Sequence, residues 1–112
     1  MAAAAVVEVA GGTARQAADA AAIFFQNIMG SVCDLVQGIV EIPCHTRNAV
    51  AASGAFICAD LILGGYDNPI PLEETIDAVY AVGKMLPREL RCTALGGLSI
   101  TPSALAMPRL KR

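Results

Sequence analysis

Glycine and proline residues divide this sequence into short apolar segments, and their spacing limits the folds that it can adopt. Breakers stand at Gly11-Gly12, Gly30, Gly64-Gly65 and Pro87. Between them apolar residues recur at helical spacing, and no pair of alternating segments is present that would build a sheet. We therefore predict an all-α fold of three to four packed helices with a long irregular loop.

Four segments are predicted to be helical. They are residues 2–10, residues 14 to about 29, residues from Arg47 or Asn48 to 64, and residues 71 to about 86. Thr13 and Gln16 have the spacing of a capping box at the start of the second helix. Pro71 suits the first turn of the fourth helix, whose inner face we assign to Ile76, Val79, Tyr80 and Gly83. The segment after Pro87 is predicted to be a turn followed by a loose tail.

Composition and charge exclude several classes of partner. Hydrophobic residues make up 55% of the chain, but its longest apolar runs, residues 20–32 and 49–59, fall short of the ~20 residues that span a membrane. We expect them to be buried core helices. Eight basic residues against ten acidic ones, with no basic stripe, argue against nucleic acid. An early Glu8 and no basic leader argue against a signal peptide, so a cytoplasmic location is expected.

The segment from Ser31 to Val50 carries two cysteines, Cys33 and Cys44, and the single histidine, His45. Four interpretations are open. The thiols could be small buried apolar groups, or form a disulfide, which a chain without export signals disfavours. One could be a nucleophile with His45 as its base, although such partners usually meet only in the fold. They could also ligate an iron-sulfur cluster, which needs thiolates presented from irregular backbone. A zinc site is disfavoured separately, because the four cysteines lack the CxxC spacing.

The run "VCDLVQGIVEIPCHTRNAVAA" resembles a segment of the iron-sulfur L-serine dehydratases (L-serine ammonia-lyases). Their α domain or α subunit contains the pattern CDP-x-x-G-x-V-x-[VI]-P-C-x-x-RNA. The matching positions here are Cys33, Asp34, Gly38, Val40, Pro43, Cys44, Arg47, Asn48 and Ala49. The stretches "MAAAAVVEVAGGTARQAADAAAI", "IPLEETIDAVYAVGKMLPRELR" and "TALGGLSITP" resemble the same family in the same order. The resemblance implies that residues 1–112 are the C-terminal part of a larger helical α-chain domain.

The resemblance also implies a [4Fe-4S] cluster held by three cysteines, with one open iron acting as a Lewis acid on the carboxylate and hydroxyl of L-serine. Cys33 and Cys44 match two of these ligands, and the family's third lies in a Gly-Cys segment upstream of the residues matched here. Asp34, Arg47 and Asn48 are possible supporting or substrate-binding residues. Arg47 could offset the cluster's charge or meet a carboxylate, and Asn48 could instead cap a helix.

Several positions depart from the family pattern. Leu35 replaces a proline and Gln37 replaces a small residue, so the shape of the cysteine loop is in question. Cys92 stands where the family usually has glutamate, and no role is assigned to it. Cys58 is expected in the core. His45 falls at a variable position and is expected at the surface.

Two functions of different classes follow. In the first, the chain is part of an L-serine dehydratase α chain. It contributes two cluster ligands, and it needs the remainder of the α domain and the β domain or subunit to convert L-serine to pyruvate and ammonia. In the second, it is a truncated, non-catalytic helical interaction module without a cluster. Apolar faces without partners, such as that of the helix Ala2–Val9, predict self-association of the isolated chain.

Overall fold

The computed structural model describes residues 1–110, which fall into two compact units built from interleaved segments. The first unit contains residues 1–30 and 50–84, and the second contains residues 31–49 and the chain from Met85 onward. Within residues 1–110 the helices are α1 (Ala2–Val9), α2 (Ala14–Ile28), α3 (Cys44–Leu63), α4 (Leu72–Met85) and α5 (Pro102–Ala106). Two short strands, β1 (Cys33–Asp34) and β2 (Arg91–Thr93), and three 3-10 turns complete the described elements. The predicted all-α class is confirmed.

Small side chains build the core of the first unit. Its buried residues are Ala3, Val7, Ala20, Ile23, Ala55, Cys58, Ala59 and Ile62. A β-carbon at Gly12 would lie 2.4 Å from Val7 Cγ1, so the chain can turn back over α1 only with glycine there. Helix α1 is packed against α2, and the prediction that it lacks a partner is wrong. The expected core position of Cys58 is confirmed.

The capping box predicted at the start of α2 is present. Thr13 Oγ1 accepts a hydrogen bond from the Gln16 amide at 3.2 Å, and the Thr13 amide donates to Gln16 Oε1 at 2.9 Å. Each side chain thereby satisfies an amide that the helix itself leaves without a partner. This local arrangement fixes the first residue of α2.

Helix α3 begins at Cys44, earlier than the predicted start at Arg47 or Asn48. The carbonyl oxygen of Pro43 accepts from the Arg47 amide at 3.0 Å and from Thr46 Oγ1 at 2.9 Å, which starts the helix directly after the proline. With 20 residues and a mean hydropathy of 1.2, α3 has the length and composition of a helix that could cross a membrane. Core helices of globular proteins can meet the same criteria. However, only 22% of the 18-residue stretch of α3 over which the hydropathy is averaged is buried. The prediction that residues 49–59, which lie in α3, form a buried core helix is therefore wrong.

The predicted inner face of helix α4 is correct only in part. Val79 and Gly83 are half-buried, but Ile76 and Tyr80 are exposed, and the fully buried residue of the helix is Thr75. Thr75 Oγ1 accepts from Gln26 Nε2 at 3.2 Å, and the same nitrogen donates to Asn68 Oδ1 at 3.2 Å. Because a buried polar group needs a partner, this network sets the rotation of α4 about its axis.

The second unit is organised by a parallel pairing of β1 with β2. Cys33 stands opposite Arg91 and Asp34 opposite Thr93, and the register shifts between the two pairs. The segment predicted as a loose tail contains a 3-10 turn, Gly97–Ile100, and then α5. The unit therefore joins the cysteine loop to the end of the chain.

Candidate functional site

Three of the four cysteines belong to the second unit. Cys33 lies on β1, Cys44 is the first residue of α3, and Cys92 lies on β2. Pairing of β1 with β2 places Cys92 on the strand beside Cys33. Hydrogen bonding to Cys92, then burial, then the electrostatic effect of Cys92 and Cys44 raise the pKa of Cys33 to about 11, while Arg47 acts to lower it. The structure thus places a third cysteine on the strand next to the segment that carries Cys33 and Cys44.

None of the four thiols forms a disulfide. Cys33 and Cys44 are half-buried, so neither is the fully buried apolar residue of the first interpretation. His45 is exposed, as expected for a surface histidine. The thiols of Cys33 and Cys44 are therefore free and partly exposed to solvent.

Cys92 is held in an unusual backbone conformation. Its φ is +63°, in the left-handed region that residues other than glycine rarely occupy. The register shift places it between the Arg91 and Thr93 pairings, and its side chain is exposed. Nothing in its local sequence indicates its place beside β1, which comes from pairing of distant segments. The one available signal was a thiol at a position where the family usually has glutamate.

A buried ion pair fixes the shape of the cysteine loop. Asp34 is 1% exposed, and its Oδ1 accepts from Arg47 Nη1 at 2.6 Å. Its Oδ2 accepts from the Leu98 amide at 2.6 Å, and Arg47 Nη1 also donates to the Val32 carbonyl oxygen at 2.9 Å. Burial opposes ionisation of Asp34, but the Leu98 and Arg47 hydrogen bonds outweigh it and lower the pKa of this carboxyl. These contacts tie the loop to the segment after β2.

The three supporting residues predicted from the sequence occupy different settings. Asp34 and Arg47 pair with each other beside Cys33, whereas Asn48 is exposed within α3. Because α3 already begins at Cys44, Asn48 is not its N-cap, and the capping interpretation is wrong. A role for any of the three toward a cluster or a substrate stays a prediction.

The donor atoms of this loop can be compared with what an iron-sulfur cluster requires. Within residues 1–110 no three His, Cys, Asp or Glu side chains converge so as to hold a single metal ion. A [4Fe-4S] cluster does not require such convergence, because each thiolate bonds a different iron. The half-buried thiols of Cys33 and Cys44 lie on a two-residue strand and at the start of a helix, not on the irregular backbone expected from the sequence. They are nevertheless soft ligands of the type that such a cluster uses, and the Arg47 guanidinium lies nearby to compensate negative charge.

Comparison with known proteins connects this arrangement to one family. The family model described as serine dehydratase alpha chain matches residues 1–99. The chain is 53% identical over 103 residues to a probable L-serine dehydratase alpha chain of Bacillus subtilis, covering 92% of this chain and 34% of that protein. It is 46% identical over 107 residues to the corresponding protein of Latilactobacillus sakei, covering 96% and 51%.

The L-serine dehydratase alpha chain of Peptoniphilus asaccharolyticus is 48% identical over 99 residues, which cover 88% of this chain and 34% of that protein. No solved structure matches the chain. The chain spans about a third to a half of the length of these relatives. The resemblance inferred from the cysteine loop is confirmed, and the chain belongs to the serine dehydratase alpha chain family.

Proposed function

We propose that this chain is the part of an L-serine dehydratase α chain that contributes Cys33 and Cys44 as ligands of a [4Fe-4S] cluster. The observation that carries the proposal is the presence of both half-buried thiols in one unit of a chain whose relatives are named L-serine dehydratase alpha chains. The proposed reaction converts L-serine to pyruvate and ammonia in the cytoplasm.

Each residue of the loop has a defined task in this proposal. When bound, the cluster supplies an iron with an open coordination position, which acts as a Lewis acid on the substrate's oxygen atoms. Cys33 and Cys44 hold the cluster through their thiolates. Arg47 adds positive charge next to Cys33, which favours the thiolate. Asp34 keeps the guanidinium in place through the 2.6 Å contact with Arg47 Nη1.

The remaining tasks are assigned to other parts of the enzyme. Because the chain spans about a third to a half of the length of its relatives, we place the catalytic base, the third cluster ligand and the rest of the serine pocket in the remainder of the α domain and in the β domain or subunit. The isolated chain is expected to release no pyruvate from L-serine. Turnover of L-serine by these residues alone would contradict this division.

Anaerobic reconstitution with ferrous iron and sulfide tests the ligand assignment. We expect a broad sulfur-to-iron absorbance in the visible range that is lost in Cys33→Ser and in Cys44→Ser. Cys58→Ala is the matched control, because that thiol is buried in the core of the first unit and should not affect the absorbance. Absorbance that survives both Cys33→Ser and Cys44→Ser, in the chain and in the complete dehydratase, would refute the proposal.

A second candidate function is a helical interaction module without a cluster. It is favoured by the large apolar side chains that α3 exposes, Phe56, Ile57 and Leu61, since exposed apolar patches mark interaction surfaces. This candidate predicts that no iron is retained even when the missing parts of the dehydratase are added. The same reconstitution therefore decides between the two.

A further inference from the structure

Gln37 joins the cysteine loop to a distant part of the chain within the second unit. Its Oε1 accepts a hydrogen bond from the Leu110 amide at 2.9 Å. Its Nε2 donates to the carbonyl oxygens of Pro108 at 3.1 Å and Met107 at 3.4 Å. Both polar atoms of this side chain are therefore bonded to the backbone of one short segment, residues 107–110, which we call the distal segment.

The backbone of Gln37 is in a conformation that disfavours glutamine. Its φ and ψ are +55° and +17°, in the left-handed region where a β-carbon crowds the following carbonyl oxygen. Gly38 follows with a φ of +74°, and across this turn the Val36 amide donates to the Ile42 carbonyl oxygen at 3.0 Å. Glycine in place of Gln37 would adopt this backbone more easily, so the turn itself gives no reason for a glutamine. The three hydrogen bonds of the side chain give one.

Leu35 precedes the same turn and follows the path of a proline without its ring. Its φ of −61° and ψ of 117° include the φ value that proline fixes, and the family pattern has proline at this position. Leucine has more conformational freedom than proline, so this loop is less constrained by its own backbone. The bonds from Gln37 to the distal segment provide a constraint from outside the loop.

The turn around Gln37 lies between the two thiols assigned to the cluster, Cys33 on β1 and Cys44 at the start of α3. Ligands held in place before a metal group arrives bind it more tightly, because their ordering is already complete. We propose that Gln37 is a positioning residue for these ligands: by fastening the cysteine loop to the distal segment, it keeps the two thiols in a fixed arrangement. The part of this inference that concerns the cluster rests on the proposed function.

Hydrogen exchange of individual amides in the apo chain, followed by nuclear magnetic resonance, tests the fastening. Gln37→Gly removes the side-chain bonds and eases the left-handed backbone, so faster exchange in this variant cannot come from strain. We expect the Leu110 amide to exchange about 5- to 30-fold faster, the factor for loss of one or two hydrogen bonds. The Val36 amide should also exchange faster. The Gly12 amide, which donates to the Val7 carbonyl oxygen at 2.9 Å in the first unit, should be unaffected.

A chain shortened to end at Ala106 provides the second arm, because it removes the distal segment and leaves Gln37 in place. If the side chain acts through that segment, the Val36 amide should exchange equally fast in Gln37→Gly, in the shortened chain and in their combination. Additive effects in the combination would mean that the two act separately, and would overturn the inference. Thr13→Ala, which removes a helix cap in the first unit, is the matched control and should leave Val36 exchange at the wild-type rate.

Loss of iron to a chelator tests the role toward the cluster. In the reconstituted complete dehydratase, Gln37→Gly should lose its visible absorbance about tenfold faster than the wild type, since changes around a metal site cost about 10- to 100-fold in affinity. An unchanged Leu110 exchange rate, or iron loss at the wild-type rate, would overturn the inference and leave Cys33 and Cys44 as ligands. Absorbance that survives both Cys33→Ser and Cys44→Ser would instead remove the proposed function, and the exchange rates would still decide whether Gln37 fastens the loop.

Discussion

Replacing Gly97 with alanine should disrupt the anchor of the cysteine loop. Gly97 has a φ of +61°, and a β-carbon there would lie 2.3 Å from Asp34 Oδ2 and 2.8 Å from Asp34 Cβ. The carboxylate has little room to yield, because it is 1% exposed and is held at 2.6 Å by both the Leu98 amide and Arg47 Nη1. Gly97→Ala must therefore displace either Asp34 or the turn that contains Gly97.

The cost of Gly97→Ala has two parts. A left-handed conformation costs a residue with a β-carbon about 1–2 kcal/mol. Loss of the Leu98 hydrogen bond to the Asp34 carboxylate costs about 1.5–3 kcal/mol, the range for a bond to a charged group. We expect the free energy of unfolding to fall by about 2.5–5 kcal/mol.

Gly38→Ala provides the matched control. Gly38 lies in the same unit with a φ of +74°, but a β-carbon there would meet nothing within 4 Å. This substitution should cost only the conformational part, about 1–2 kcal/mol. The difference between the two variants isolates the contact with Asp34.

Urea unfolding followed by circular dichroism will measure both free energies. The rate of Cys33 alkylation provides a local measurement, because displacement of Asp34 should disturb β1 and expose the thiol that follows Val32. If Gly97→Ala and Gly38→Ala lower the free energy of unfolding equally, and Cys33 reacts no faster in the former, Asp34 is not held as described.

Two further predictions concern stability. Asp34→Asn should lower the free energy of unfolding by about 1.5–3 kcal/mol at neutral pH, since Arg47 loses its charged partner. Because the pKa of Asp34 lies below its ordinary value of 3.8 when folded, its stabilisation is complete above that value and is lost as the pH falls through the folded-state pKa. Urea midpoints at a series of pH values should show the variant and the wild type converging in acid, and a constant gap would contradict this. Thr13→Ala should cost about 1 kcal/mol through loss of the α2 cap, whereas Arg15→Ala, at an exposed position in the first turn of the same helix, should have a smaller effect in the same assay.

Local signals in the sequence predicted the helices well, and tertiary contacts account for what they missed. The Thr13–Gln16 capping box depends on residues three apart, so the sequence was enough to predict it. The rotation of α4 about its axis depends on a hydrogen bond from Gln26 to Thr75. The spacing of apolar residues in the sequence gives no information about such a contact. The start of α3 was placed too late because Asn48 is a good N-cap, whereas the structure uses the Pro43 carbonyl.

The candidate site was predictable in part for the same reason. Cys33 and Cys44 belong to one continuous segment, so the family pattern pointed to both. Cys92 lies on the strand beside Cys33 only through a parallel pairing with an irregular register, and a two-residue strand has too little pattern to be recognised in a sequence. The residue that sequence analysis left without a role is therefore the one whose position depends most on the fold.

Arg47 links the shape of the loop to its chemistry. A guanidinium carries five N–H donors in a planar fork. Nη1 donates to both Asp34 Oδ1 and the Val32 carbonyl oxygen, and the side chain remains 39% exposed. It can therefore hold β1 in place while its positive charge acts on Cys33. Lysine would bring the same charge without the fork, so the arginine in this position serves the geometry of the thiols as well as their ionisation.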